Sequence, residues 1–111
     1  MWIMIAAPYT SGGADAAQRA TRLAEMNRAA LAILRLGHVP VIGVNMALPI
    51  IAAAEGDVFD EVMMPLSLAL AERCDAVLRI GGLSQGADQE VARFRQAGKP
   101  VYLALADIPP K

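Results

Sequence analysis

Apolar positions along this chain fall into short unbroken runs and longer stretches at helical spacing, and the two kinds alternate. Trp2 to Ala7 is unbroken and stops at Pro8-Tyr9-Thr10-Ser11-Gly12-Gly13, which predicts a strand buried on both faces and then a loop. From Asp15 to Leu36, Leu23, Met26, Ala30, Ile33 and Leu34 recur at helical spacing among Ala, Arg, Glu and Gln, and Gly37 supplies the stop. Val39 to Val44 predicts a second strand, whose Pro40 suits a place toward the sheet edge. A short helix over Leu48 to Ala54, a longer one over Asp57 to Arg73 and a third strand over Asp75 to Ile80 follow. Pro65 predicts a kink or break near Met64. Ser84 to Ala97 predicts the last helix, ended by Gly98, and Val101 to Leu105 the last strand before a Pro-rich tail.

The order β-α-β-α-β-α-β predicts an α/β fold over residues 1–111 as one domain. Its expected form is a small Rossmann-like (flavodoxin-like) three-layer sandwich, with a four-stranded parallel sheet in the order 2-1-3-4 and right-handed crossovers. Ligands of such sheets bind beyond the carboxyl ends of the strands at a switch point, here between strands one and three.

Composition narrows the chemistry. With 56% of residues hydrophobic and 5% aromatic, the core is aliphatic, as suits helices on a buried sheet. A net charge of −1 with interspersed signs leaves no footprint for duplex nucleic acid or an anionic membrane and favours a small ligand. The apolar run at Met1 to Ala7 lacks a basic leader and is too short for a signal segment, and no apolar stretch reaches the roughly 18 residues of a membrane span. Cys74 is the single cysteine and reads as a buried thiol, consistent with a reducing cytoplasm. His38 is the only histidine and reads as a turn residue; no metal and no cofactor are expected.

The third strand runs into Gly81-Gly82-Leu83-Ser84-Gln85-Gly86-Ala87-Asp88-Gln89-Glu90. Gly81 and Gly82 allow a backbone to approach a ligand, and the first N–H groups of the next helix, around Gly86 and Ala87, suit a phosphate or a sugar hydroxyl. Ser84 is placed to cap that helix, to meet the ligand, or both. Glu90 lies about one and a half turns in, and helical side chains lean toward the N-terminus, so its carboxylate can reach the crevice. Glycine turns before helices are common, however, and a helix start favours an acid for electrostatic reasons alone. Tyr9, Thr10 and Ser11 follow strand one at the same end, where Tyr9 could stack on a base. Asn45 follows strand two and either reaches the crevice or bonds its own turn. Asn27 is a poor helix former with a plausible polar role, whereas Asp75 opens a strand at the far end. Met46, Met63 and Met64 read as packing or interface residues, and Arg19, Arg22 and Arg28 as a mostly solvated face with one of them in reach of a phosphate as the alternative.

Asp75-Ala76-Val77-Leu78, the Gly-Gly pair, Ser84-x-Gly86-Ala87-x-x-Glu90 and Gly98-Lys99-Pro100-Val101 together resemble the nucleoside 2-deoxyribosyltransferase superfamily. The pattern is closest to the deoxynucleoside 5′-monophosphate N-glycosidases and small relatives of them; Ile5-Ala6-Ala7-Pro8-Tyr9, Asn27 and Gly37-His38 also resemble those small proteins. The resemblance implies that Ser84 and the Gly86 backbone receive the sugar or 5′-phosphate end and that Glu90 attacks C1′ of deoxyribose; the helix N-terminus is expected to keep that carboxylate ionised at neutral pH. The resemblance also implies a dimer or larger assembly of a cytoplasmic protein. One departure stands out: where that family carries an aspartate that helps protonate or orient the base, this chain has Met63-Met64-Pro65. Asp57, Asp60 and Glu61 are the nearest carboxylates, and a break at Pro65 would reposition one, Asp60 or Glu61 being the candidates for catalysis. Loss of a proton donor costs roughly 10²- to 10⁴-fold in rate. The expected function is therefore N-glycoside hydrolysis or transfer on a nucleoside or its 5′-monophosphate, with a non-catalytic nucleotide-binding domain as the alternative. The phosphoribohydrolases that release cytokinin-type bases are a third possibility, although their Pro-Gly-Gly-x-Gly-Thr run is not matched here.

Overall fold

The computed structural model describes all residues, 1–111. It contains β1 (Trp2–Ala6), α1 (Ala16–Arg35), β2 (Val39–Val41), α2 (Gly43–Ala53), α3 (Phe59–Arg73), β3 (Ala76–Arg79), α4 (Gln85–Gln96), β4 (Val101–Tyr102) and a 3-10 turn at Leu105–Asp107. The four strands form one parallel sheet in the order β2-β1-β3-β4. The three-layer α/β sandwich is thus present, with β1 and β3 adjacent at its centre.

Alternation along the strands sorts the layers. Ile3 and Ile5 of β1, with Ala76 and Leu78 of β3, pack against Met26, Ala29 and Ile33 of α1. Met4 and Ala6, with Val77, pack against Ala71 of α3 and Ala87, Val91 and Phe94 of α4. Side chains at successive strand positions point to opposite faces, so an unbroken apolar run is what a sheet covered on both sides requires.

Three elements differ from the pattern-based expectation. β2 ends at Val41, because Gly43, Val44 and Asn45 already belong to the first turn of α2. α3 runs through Pro65 without a break, and α2 likewise contains Pro49. β4 has two residues and pairs only Val101 with Val77 and Tyr102 with Leu78, after which the chain bends away.

Side chains fix the start of α1 and the end of α3. Asp15 and Gln18 form a reciprocal capping box at the start of α1, each side chain accepting from the other's backbone N–H at 2.8–2.9 Å. Lys99 donates to the carbonyls of Glu72 and Cys74, closing the end of α3, where a cation is also favoured by the helix dipole. No helix is long and apolar enough to cross a membrane.

Candidate functional site

A cavity of about 540 Å³ opens at the carboxyl ends of β1 and β3. Its volume suits a small organic molecule of nucleoside size. One wall is the β1–α1 loop, with Tyr9, Thr10, Ser11 and Gly12. The loop is held in shape by Arg22, which donates to the carbonyls of Tyr9 at 3.1 Å and Ser11 at 2.8 Å, and by Arg19, which donates to that of Ala14. Both arginines are thereby engaged by the backbone rather than presented to solvent as a charged face.

The opposite wall is the start of α4, with Ser84, Gly86, Ala87 and Glu90. Ser84 is the N-cap: its hydroxyl accepts from the Ala87 N–H at 3.1 Å, and the Asp88 N–H bonds the Ser84 carbonyl. The N–H groups of Gln85 and Gly86 consequently remain available at the cavity edge. Gly86 lies beside α3, where a Cβ would make ordinary van der Waals contact with the Met64 sulfur at 3.4 Å.

Glu90 is buried to 8% of its free exposure while its carboxyl lines the cavity. It makes none of the protein's side-chain hydrogen bonds or ion pairs; in particular Arg79 pairs with Asp88, at 3.3 Å, and not with it. Burial pushes the Glu90 carboxyl up to about 7, partly opposed by the charge of Arg79. This corrects the expectation that the helix start keeps Glu90 firmly ionised. The residue is the sixth of α4, and the dipole acts mainly within the first turn.

The remaining walls are apolar: Phe59, Met63 and Met64 of α3, and Ile42 and Val44 at the β2–α2 junction. The buried Ser67 hydroxyl also lines the cavity and faces Gly43, where any Cβ would collide with it. Met63 and Met64 therefore occupy the binding wall as well as packing it.

Several sequence-expected site residues lie elsewhere. Asp60 and Glu61 are exposed in the first turn of α3, since the helix continues through Pro65 and nothing turns them inward. Asn45 is exposed on α2 and donates to Asn27 at 2.7 Å, so each amide is the other's partner. Gly81 has φ +81° and meets Pro8 so closely that a Cβ would lie 2.6 Å from Pro8 Cδ; it joins the ends of β3 and β1. The Gly82 carbonyl accepts from Arg79. Both glycines thus shape the turn beneath the cavity without lining it. Asp75 accepts from the Trp2 N–H at the far end of the sheet.

Arg79 is the residue sequence reasoning missed. Its guanidinium bonds the Ile80 and Gly82 carbonyls and Asp88, tying the β3–α4 turn to α4. An arginine closing an apolar strand just before Gly-Gly was the available signal. Phe59 and Ser67 gave none, because their place depends on how α3 packs.

No cluster of His, Cys, Asp or Glu side chains capable of holding a metal is present. A doubly wound parallel sheet with an apolar cavity at its switch point and one buried carboxyl facing into it defines the class. Within that class the chain belongs to the family described as a domain of unknown function (DUF1937), whose family model matches residues 1–105. No curated protein matches the chain.

Proposed function

We propose that this protein is an N-glycosidase of the nucleoside deoxyribosyltransferase-like type, acting on a nucleoside or nucleotide through Glu90. The observation that carries this reading is the Glu90 carboxyl, buried, without a protein partner, and lining a nucleoside-sized cavity. In its ionised form Glu90 attacks C1′ of the sugar. The C1′–N bond breaks and its electron pair leaves with the base, which takes a proton from the Tyr9 hydroxyl or from water. Water then attacks C1′, the bond to Glu90 breaks, the carboxylate is restored and the water's proton replaces the one lost. Tyr9, Thr10 and Ser11 hold one end of the ligand, and Ser84 with the Gln85 and Gly86 N–H groups the other.

Purified protein incubated with a panel of nucleosides and nucleotides is expected to release free base on chromatography, and Glu90→Ala to reduce release at least about a hundredfold. No release by the wild type, or undiminished release by the variant, rejects the proposal. Preference for ribonucleotides would favour a phosphoribohydrolase instead.

One observation favours a second reading, a nucleotide-binding domain without catalysis: Glu90 is the one carboxylate lining the cavity, whereas glycoside hydrolysis usually employs two. Ligand-induced thermal stabilisation without base release would select it. The reading extends to a cytoplasmic homodimer or larger assembly, supported by the buried lone Cys74 and by Met46 and Ile50, which are about half exposed on α2. A clean monomer by light scattering at micromolar concentration would remove the assembly.

A further inference from the structure

We propose that the cavity selects an uncharged nucleoside and discriminates against the same nucleoside carrying a 5′-phosphate. The inference rests on reading the cavity as a nucleoside site and adds which chemical form it takes.

Charge at the lining carries the argument. Of the residues lining the cavity, Glu90 alone bears a formal charge, and it is negative. No lysine or arginine lines the cavity. Four arginines of the surrounding elements are engaged elsewhere: Arg22 and Arg19 on carbonyls of the β1–α1 loop, Arg79 on the Ile80 and Gly82 carbonyls and on Asp88, and Arg93 on Glu72. A phosphate entering the cavity brings up to two negative charges beside a carboxylate that has no ion-pair partner.

The helix starts around the site do not reverse this: α2 opens without a side-chain cap at Gly43 and Val44 on the cavity wall and offers only partial positive charge, and α3 opens at Phe59, whose N–H already bonds Asp57. α1 begins with Asp15, whose carboxylate already occupies the Gln18 N–H. α4 offers two N–H groups, and its first turn carries Asp88, which balances Arg79. Two N–H groups, the Ser84 hydroxyl proton and the hydroxyls of Thr10 and Ser11 match the donors and acceptors of sugar hydroxyls. They leave no full positive charge for a dianion. Glu90 has no protein hydrogen-bond partner and can accept from a sugar hydroxyl or base N–H of either ligand, whereas the added phosphate dianion brings it only charge repulsion.

Isothermal titration calorimetry at pH 8 on the full chain, with 2′-deoxyadenosine and 2′-deoxyguanosine and the 5′-monophosphate of each, tests the proposal. At least one nucleoside is expected to bind at least about tenfold more tightly than its monophosphate. Glu90→Gln, which removes the charge and keeps the shape, narrows that gap, and Gln89→Arg, which adds a cation at the wall, narrows or inverts it. Equal or tighter binding of the monophosphates by the wild type, or no binding of any probe, overturns the proposal. Discrimination observed without release of base supports the inference while rejecting the hydrolytic reading, so the two fail separately.

Discussion

A glutamate in water ionises near 4.5, and the burial of Glu90 moves that to about 7. Between these values the folded protein holds a proton that the unfolded chain has lost. Stability therefore falls as pH rises from about 4.5 to about 7 and levels off above it. At pH 8 the ionised carboxylate opposes folding by something on the order of 3 kcal/mol. Glu90→Gln is expected to raise Tm at pH 8 and to flatten the profile between pH 4.5 and 7, measured by thermal melts across that range. A variant less stable than wild type at pH 8 would mean that the carboxylate has a partner within the fold. Gly81 makes the opposite case: alanine there must adopt φ +81° and press on Pro8, so Gly81→Ala should cost about 1–3 kcal/mol in urea unfolding. The place of Glu90 was legible from its spacing after Ser84 and the lean of helical side chains. Its ionisation was not, because burial is completed by α3, a distant segment.

The same limit explains which elements were misread. A short apolar run such as Val39 to Val44 does not distinguish a strand from a buried helical turn by periodicity, and here the boundary falls inside it, at Ile42. Pro65 removes one N–H and crowds the preceding turn, yet α3 continues, because its buried positions Met63, Ser67 and Ala71 lie on one packed face on both sides of the proline. With no break there, Asp60 and Glu61 stay in solvent, and the candidate proton donors are lost with it. Gly43 of α2 lies against Ser67 of α3 with no room for a Cβ, so Gly43→Ala should destabilise the protein by about 1–3 kcal/mol; the double variant with Ser67→Gly should recover most of that in the same unfolding experiment. The β3–α4 turn depends on Arg79. Arg79→Met removes the positive charge that draws Glu90 down, so the ionisation of Glu90 should move above about 7 and any pH–rate profile should shift to the alkaline side. An unchanged profile would show that Arg79 acts only as a brace.

The strand order was readable because strands alternating with helices leave few topologies, and the right-handed crossover rule places β2 and β4 on opposite sides of the central pair. That topology also separates two tasks along the strands. The cavity lies at their carboxyl ends, whereas the last residues of the chain fold back to the amino ends. There the Lys111 N–H bonds the Leu36 carbonyl, the His38 Nε2 lies 2.6 Å from the Pro109 carbonyl, and Ile108 is buried with Ile3, Met26 and Ile33. The Pro-rich tail expected to follow the last strand is thus part of the α1-side core, a role its composition did not announce. Because this closure and the ligand site lie at opposite ends of the strands, loosening one should leave the other intact. Ile108→Ala is expected to lower stability by about 2–4 kcal/mol in urea melts while leaving nucleoside affinity unchanged at temperatures where the variant remains folded. A parallel loss of affinity would mean that the two ends are coupled through the core they share, in which Ile5, Met26 and Ile42 belong to the Ile108 cluster and also line the cavity.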